Sequence, residues 1–133
     1  MTQGLTRPIV RSYGGASSRD MATASGTQVI TGVGFKPRAI MFNSAEDDVA
    51  GVASWGWYAS DGINNVCLRE SYLTVAGAYV VNPGGCIHVQ KNAGNSDQYA
   101  ASVTTVGDDG FTLTWTRTGT PTGTLKFIFN CLR

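Results

Sequence analysis

Apolar and polar residues alternate most regularly in the last part of the chain. In the run 111–117, Phe111, Leu113 and Trp115 share one face while threonines occupy the other. In the run 124–132, apolar residues again fall on every second position. Successive side chains of a β-strand point to opposite faces, so this period of two predicts two strands, each with one buried side. The loop between them contains Gly and Pro, and we predict an antiparallel hairpin whose apolar side chains line a core between two sheets.

Shorter runs of the same kind, separated by turn-forming residues, continue through the middle of the chain. The run 38–43 is apolar on both faces, which is typical of a central strand covered on both sides. Gly56, between Trp55 and Trp57, leaves room for a bulge or for the close approach of another strand. Apolar residues nowhere recur at helical spacing. We therefore predict an all-β fold, an antiparallel two-sheet β-sandwich of jelly-roll character with about eight to ten strands. Its other predicted strands cover residues 27–31, 49–59, 66–71, 78–81, 86–89 and 99–106.

Residues 1–26 differ in composition from the sandwich domain predicted for residues 27–133. Between Arg11 and Gly26 the chain is small and polar, and such a segment buries too little apolar area to order itself. The patch 5–10 is more apolar than an ordinary linker. Two interpretations stay open: a loose tail and loop, or an extended arm that orders against a neighbouring subunit. In the second interpretation the anchoring residues are Leu5, Ile9, Val10 and Tyr13.

Composition and charge narrow the possible classes of function. With 133 residues the chain is long enough for one domain with its own core. The net charge of +1 comes from ten basic and nine acidic side chains scattered along the sequence, whereas nucleic-acid-binding proteins concentrate Lys and Arg on one face. The apolar runs are too short to span a bilayer, and the N-terminus lacks a signal-peptide pattern. We expect no nucleic-acid partner, no membrane association, and accumulation in the cytoplasm where the protein is made.

The three cysteines, Cys67, Cys86 and Cys131, are far apart and form no CxxC or Cys/His cluster, so no metal site is predicted. Cys131 lies on the apolar face of its strand and is interpreted as a small buried hydrophobic residue. For Cys67 and Cys86 both a disulfide and free thiols stay open, and free thiols are favoured.

No residue pattern predicts catalysis or a cofactor. His88 is the only histidine and lacks a partner motif, so we interpret it as a structural or surface residue. The acidic run 46–48 lacks the alternating ligands of a calcium loop and indicates a solvated loop. Asp108 and Asp109 are interpreted as turn formers.

Aromatic residues are the best candidates for a binding site. Trp55, Trp57 and Tyr58 would form a platform, with Tyr72 as a further candidate. An exposed Trp-Gly-Trp could stack on a sugar ring or anchor a protein interface. The alternative, which the sequence favours, is that both tryptophans face the core.

Three segments occur in an order that points to a known family: 34–42 (Gly-Phe-Lys-Pro-Arg-Ala-Ile-Met-Phe), 54–62 (Ser-Trp-Gly-Trp-Tyr-Ala-Ser-Asp-Gly) and 109–115 (Asp-Gly-Phe-Thr-Leu-Thr-Trp). Together they resemble a small β-sandwich module that recurs in capsid-associated and tail or fibre proteins of tailed bacteriophages. The resemblance covers roughly residues 26–133, including the closing Phe-Ile-Phe strand, and leaves the N-terminal arm outside. All three segments are folding motifs, and none carries catalysis.

The resemblance implies a non-enzymatic structural protein located in the virion. Most concretely it implies a capsid decoration or cement protein on the outer shell. We expect a homo-oligomer, with a trimer favoured, that binds the major capsid protein or another virion protein. Thr112, Thr114 and Thr116 would suit a face beside a neighbouring subunit, although threonine also simply suits an exposed strand. The alternatives are a tail or fibre subunit and, from another class, a lectin-like carbohydrate-binding module.

Overall fold

The structure, a computed structural model, describes residues 11–47, 52–60, 64–70, 79–92, 94 and 96–133. This part of the chain contains ten β-strands and no helix. The strands are β1 (Ser12–Asp20), β2 (Gly26–Ile30), β3 (Ala39–Glu46), β4 (Ala53–Ala59), β5 (Asn64–Glu70), β6 (Tyr79–Pro83), β7 (Ile87–Gln90), β8 (Gln98–Gly107), β9 (Gly110–Thr118) and β10 (Thr124–Leu132). None of the described residues belongs to a helix long and apolar enough to cross a bilayer.

The strands form two antiparallel sheets that pack against each other, which confirms the predicted β-sandwich. One sheet has six strands in the order β1-β10-β3-β4-β5-β6, and the other has four in the order β2-β9-β8-β7. Strand β7 contacts β4 and β5 across the interior. This strand order does not confirm the jelly-roll connectivity.

The predicted hairpin between the runs 111–117 and 124–132 is wrong. Strand β9 pairs with β2 and β8, whereas β10 pairs with β1 and β3 in the other sheet. The loop 119–123 therefore carries the chain from one sheet to the other. The apolar faces of β9 and β10 meet across the core, where the rings of Phe111 and Phe129 make an edge contact at 5.3 Å. Alternation defines the apolar face of each strand, but it does not define the partner strand.

Aromatic side chains fill the part of the interior beside β1 and β2. Trp115 is 1% exposed and stacks on Tyr99 with ring centroids 5.0 Å apart. The guanidinium of Arg19 lies 5.6 Å from the centre of the Trp115 ring, and the Trp115 Nε1 donates to Gln28 Oε1 at 3.0 Å. These contacts join an edge strand of each sheet and close this side of the sandwich.

Small and polar side chains line the interior beneath β4 and β5, where they bond to the backbone of the facing sheet. The Ser54 hydroxyl oxygen accepts the backbone N–H of His88 at 3.2 Å. The Asn65 amide accepts the Val103 N–H at 2.8 Å and donates to the Val103 carbonyl at 3.1 Å. At Ser54 and Asn65 the two sheets are therefore joined by hydrogen bonds and not by apolar packing alone.

Residues 12–20, expected to be a loose segment or an arm ordered by a neighbour, form the edge strand β1 of this chain. The strand pairs with β10 along its whole length, from Ser12 opposite Leu132 to Asp20 opposite Thr124. The strand is ordered by backbone pairing with β10, which requires little apolar area of its own.

Candidate interaction surface on the six-stranded sheet

The outward side of the six-stranded sheet, which we call the outer face, carries most of the large exposed hydrophobic side chains of the described residues. Six of these side chains are between 39% and 59% exposed. They are Met41, Trp55, Trp57, Val81, Ile128 and Leu132. Exposed apolar patches larger than a few hundred Å² usually mark interaction sites.

Strand pairing makes these side chains contiguous. Trp57 on β4 lies opposite Met41 on β3. On the other side of β4, Leu68 lies opposite both Trp55 and Val81 and connects them. Directly paired residues have Cβ atoms about 4.5–5.5 Å apart. The apolar patch therefore extends without a break from β3 to β6.

The run 38–43 is a central strand as predicted, but it is covered on one face only within the described chain. Ile40 and Phe42 are buried in the core, whereas Met41 is 43% exposed. A strand with apolar residues on both faces is expected where a second layer also covers its other side. Nothing in the described part of this chain forms that layer.

The interpretation that both tryptophans of Trp-Gly-Trp face the core is wrong. Trp55 and Trp57 point outward, and Gly56 and Tyr58 point inward. A Cβ at Gly56 would collide with the carbonyl oxygen of Cys86, which confirms the predicted close approach at this glycine. The inner face of β4 has no space for an indole here, so both indoles lie on the outer face. Tyr58 lies on the opposite side of the sheet, and the three predicted platform residues do not form one surface.

A groove of about 700 Å³ lies beside Trp55 on the outer face. Its lining includes Ala16, Ser18, Asn43, Ala45, Ala53 and Ile128. Lys126 lines the groove as well and forms an ion pair with Asp47, with Nζ 2.8 Å from Oδ2. This pair lies at the end of β3, so the charge is at the margin of the apolar surface rather than at its centre.

Of the four predicted anchoring residues, only Tyr13 belongs to the described part of the chain. Leu5, Ile9 and Val10 lie outside the described residues, and so does Tyr72, the further candidate for the binding platform. Tyr13 belongs to β1 and is 36% exposed. Its ring stacks on Phe129 of β10 with centroids 6.2 Å apart, so Tyr13 packs against its own sheet.

His88 has a defined structural contact. It is partly buried, and its Nε2 lies 2.7 Å from Gln98 Oε1. Burial lowers the pKa of His88, the hydrogen bond with Gln98 opposes this effect, and the positive charge of Arg69 adds to the lowering. Within the described residues, no group of His, Cys, Asp and Glu side chains is arranged to hold a metal ion.

The interpretation of the acidic run 46–48 as a solvated loop is wrong for its first residue. Glu46 is the last residue of β3, its side chain is 3% exposed, and it forms an ion pair with Lys91. The alternation of β3 continues through this position, so the carboxylate is directed inward and requires a cation. Asp47 is exposed, and Asp48 lies outside the described residues.

All three cysteines are buried free thiols, as favoured from the sequence. Burial raises the pKa of Cys67 to about 11 and that of Cys131 also to about 11. Burial raises the pKa of Cys86 further.

Sequence reasoning missed one convergence of positive charge. A cavity of about 470 Å³ lies at the end of the sandwich where β3 begins and β4 and β10 end. Lys36, Arg38 and Arg133 line it together with Tyr58 and Ser60. Along the sequence these cations are scattered, and only the tertiary fold brings Arg133 beside Arg38. The nearest local signal is the spacing of Lys36 and Arg38, which places both on the same side of an extended segment.

Comparison with protein-family models, with curated protein sequences and with solved structures finds no match to this chain.

Proposed function

We propose that this protein is a non-enzymatic structural component of a bacteriophage virion, most concretely a decoration or cement protein on the outer surface of the capsid. It acts as a homo-oligomer, and its partner on the particle is the major capsid protein or another virion protein. The observation that carries the proposal is the outer face, a contiguous apolar surface with its charges at the margin. The resemblance of the segments 34–42, 54–62 and 109–115 to phage virion sandwiches supports the virion as the assembly that the protein joins.

The outer face has the size and composition of a protein interface. Strands lie about 4.8 Å apart and rise about 3.3 Å per residue, so six strands of about seven residues present roughly 670 Å². A standard interface buries about 800 Å² per partner. Tryptophan and methionine are enriched in interface cores and charged residues are depleted, as around Trp57 and Met41. Covering apolar surface contributes about 25 cal/mol per Å², and this term favours association against the ordering costs of binding.

The occupant that best fits the outer face is a second copy of the chain. Trp55 and Trp57 form a ridge on β4, and the groove beside Trp55 extends over β3 and β10 to β1. A two-fold axis parallel to β3 exchanges β4 with β10, so the ridge of each copy would lie over the groove of the other. Such a contact uses the same patch on both subunits. The trimer favoured by the sequence stays a prediction, and the mass in solution distinguishes two subunits from three.

Electron microscopy of the particle that carries the protein tests its location. Density on the outer capsid surface, at a fixed ratio to the major capsid protein, is the expected result. Density along the tail would instead support the tail or fibre alternative. Absence of the protein from purified particles would contradict both.

Light scattering after size-exclusion chromatography tests the use of the outer face. The purified chain should have a mass of two or three times 14.0 kDa. The double variant Trp55→Ser, Trp57→Ser should release monomers. Val29→Ser is the matched control, because Val29 is 65% exposed on the other sheet and should not affect the mass. A monomeric wild type at all concentrations would contradict association through this face.

A lectin-like module is the second candidate, favoured by the indole of Trp55 and the amide of Asn43 beside the same groove. Aromatic rings stack on sugar rings, and side-chain amides bond to hydroxyl groups. Binding on a glycan array that is lost in Trp55→Ala or Trp57→Ala and kept in Tyr58→Phe would favour this function. An array without signal, from a protein that still associates, would favour the structural function.

A further inference from the structure

The cavity of about 470 Å³ at the end of the sandwich, which we call the mouth cavity, is separate from the outer face. It is lined by Lys36, Pro37, Arg38, Tyr58, Ser60, Val106 and Arg133. The lining residues come from both sheets, since Tyr58 belongs to β4 and Val106 to β8. The mouth cavity is therefore the opening of the space between the two layers.

Backbone hydrogen bonds hold together the segments that carry Arg38 and Arg133 at this opening. The Arg38 N–H donates to the Leu132 carbonyl at 2.8 Å, and the Ser60 N–H donates to the Arg38 carbonyl at 2.8 Å. These bonds hold the ends of β3, β4 and β10 together. Pro37 is buried, and Lys36 and Arg38 on either side of it are exposed. The two cations are thus directed away from the core on a segment that is anchored at its centre.

Within the described residues, no ion pair engages the cations of the mouth cavity. The ion pairs of the described residues involve Lys91 and Lys126, which lie elsewhere, and none involves Lys36, Arg38 or Arg133. No acidic side chain is among the lining residues. Three positive charges around one cavity repel one another, and an anion between them would relieve this repulsion.

In the turn that follows β8, the carboxylate of Asp109 is engaged by the loop that precedes Lys36. The Asp109 carboxylate accepts the N–H groups of Gly32 at 3.0 Å and Gly34 at 2.8 Å. These two bonds lower the pKa of Asp109. The carboxylate therefore orders the loop before Lys36 and is not part of the cavity lining.

Neutral donors complete the site. The ring of Tyr58 is 6% exposed, and its hydroxyl has no hydrogen-bond partner in the described part of the chain. Ser60 adds a second hydroxyl at the rim. A hydroxyl group that lies in a cavity lined by cations is suited to donate a hydrogen bond to an anion.

We propose that the mouth cavity binds a small, multiply charged oxyanion of the phosphate class. The guanidinium groups of Arg38 and Arg133 offer paired N–H donors that match the oxygens of a phosphoryl group, and Lys36 adds a point charge. Small-ligand sites span about 300–1,000 Å³, so a diphosphate or a larger phosphoryl compound fits this cavity. The site is independent of the structural function proposed above.

Titration calorimetry of the full chain with inorganic pyrophosphate at low salt tests the proposal. We expect saturable binding of one pyrophosphate per chain. Arg38→Gln should weaken it by at least about 10-fold, because a charge-assisted hydrogen bond is lost. Lys36→Gln, on an exposed loop position, is the second variant should Arg38→Gln fail to fold. Tyr58→Phe should weaken binding by about 3-fold, the effect of one neutral hydrogen bond.

Lys126→Gln is the matched control, because it removes one positive charge at the opposite end of β3 and should leave binding unchanged. Amide chemical shifts should change at Arg38 and Ser60 and not around Lys126. Absence of saturable binding, or equal weakening by Lys126→Gln, would overturn the site. A single-stranded oligonucleotide that binds more tightly than pyrophosphate, and loses binding in the same variants, would overturn the assignment to a small oxyanion.

Discussion

The carbonyl oxygen of Cys86, just before β7, lies where the Cβ of any residue other than glycine at position 56 would stand. At this point the two sheets come into backbone contact. The same contact determines the outer face, because a strand that admits only hydrogen at its inner position 56 must direct Trp55 and Trp57 outward.

Gly56→Ala should lower the free energy of unfolding by about 3 kcal/mol, because either β4 or β7 must move to admit the added methyl group. Urea denaturation measures the loss. Gly107→Ala is the control, since a Cβ there meets no atom within 4 Å and should change stability little. Equal stability of both variants would show that the sheets are not in contact at Gly56.

Trp115→Ala and Trp57→Ala should differ strongly in stability. Trp115 is 1% exposed and packs on Tyr99, so its removal should cost about 3–5 kcal/mol. Trp57 is 43% exposed, and its removal should cost the isolated subunit less than about 1 kcal/mol. Thermal unfolding of dilute protein provides the comparison. A large loss in Trp57→Ala under conditions where the chain is monomeric would place Trp57 in the core.

Glu46→Gln should destabilise the fold far more than Asp47→Asn. The Glu46 side chain is 3% exposed, and its replacement by Gln leaves the Lys91 ammonium, on a side chain that is 17% exposed, without a counter-charge, at a cost of about 3 kcal/mol. Asp47 and Lys126 are 46% and 61% exposed, and such pairs contribute at most about 1 kcal/mol. Chemical denaturation at low and high salt distinguishes the two ion pairs, because salt screens the exposed pair more than the buried one. Similar losses in both variants would contradict the burial of Glu46.

His88 should make the protein less stable in mild acid. Its pKa is lowered from 6.5 by burial, so the unfolded chain binds the proton more readily than the folded chain. Its contribution is fully present above pH 6.5 and declines as the pH falls from there through the lowered folded pKa. Urea midpoints measured between neutral and mildly acidic pH should decline more steeply in wild type than in His88→Gln. Parallel profiles would assign the acid sensitivity to other groups.

The three thiols should be unreactive in the native state. Cys67, Cys86 and Cys131 are fully buried, and burial raises their pKa values, so little thiolate is present at neutral pH. Mass spectrometry after iodoacetamide treatment should find no modification of native protein and three modifications after unfolding. Modification of native protein would indicate local opening around the labelled cysteine.

Much of the local structure could be predicted from the sequence, because side-chain alternation is a property of the strand itself. Phe111, Leu113 and Trp115 are buried on one face of β9, as their spacing predicts. The sandwich class follows from many such strands with turn residues between them. Burial of Cys131 also follows from its place in an alternating run.

Which strands pair with each other, and which side chains the pairing brings together, could be known only from the tertiary structure. Strands β9 and β10 are adjacent in sequence and carry the signals of a hairpin, yet they belong to opposite sheets. Strand β1 is ordered by backbone pairing with β10, which composition does not reveal. Arg38 and Arg133 converge because β3 and β10 are neighbours, and no local pattern records that pairing.

The sequence by itself determined that this protein is built from short strands with one apolar face each, because the covalent geometry of an extended chain directs successive side chains to opposite sides. It did not determine which of the two faces of β4 is buried. That was decided by the backbone of the facing sheet, which approaches so closely at Gly56 that only hydrogen fits between the layers. The tryptophans consequently lie outside, where they are available to a partner.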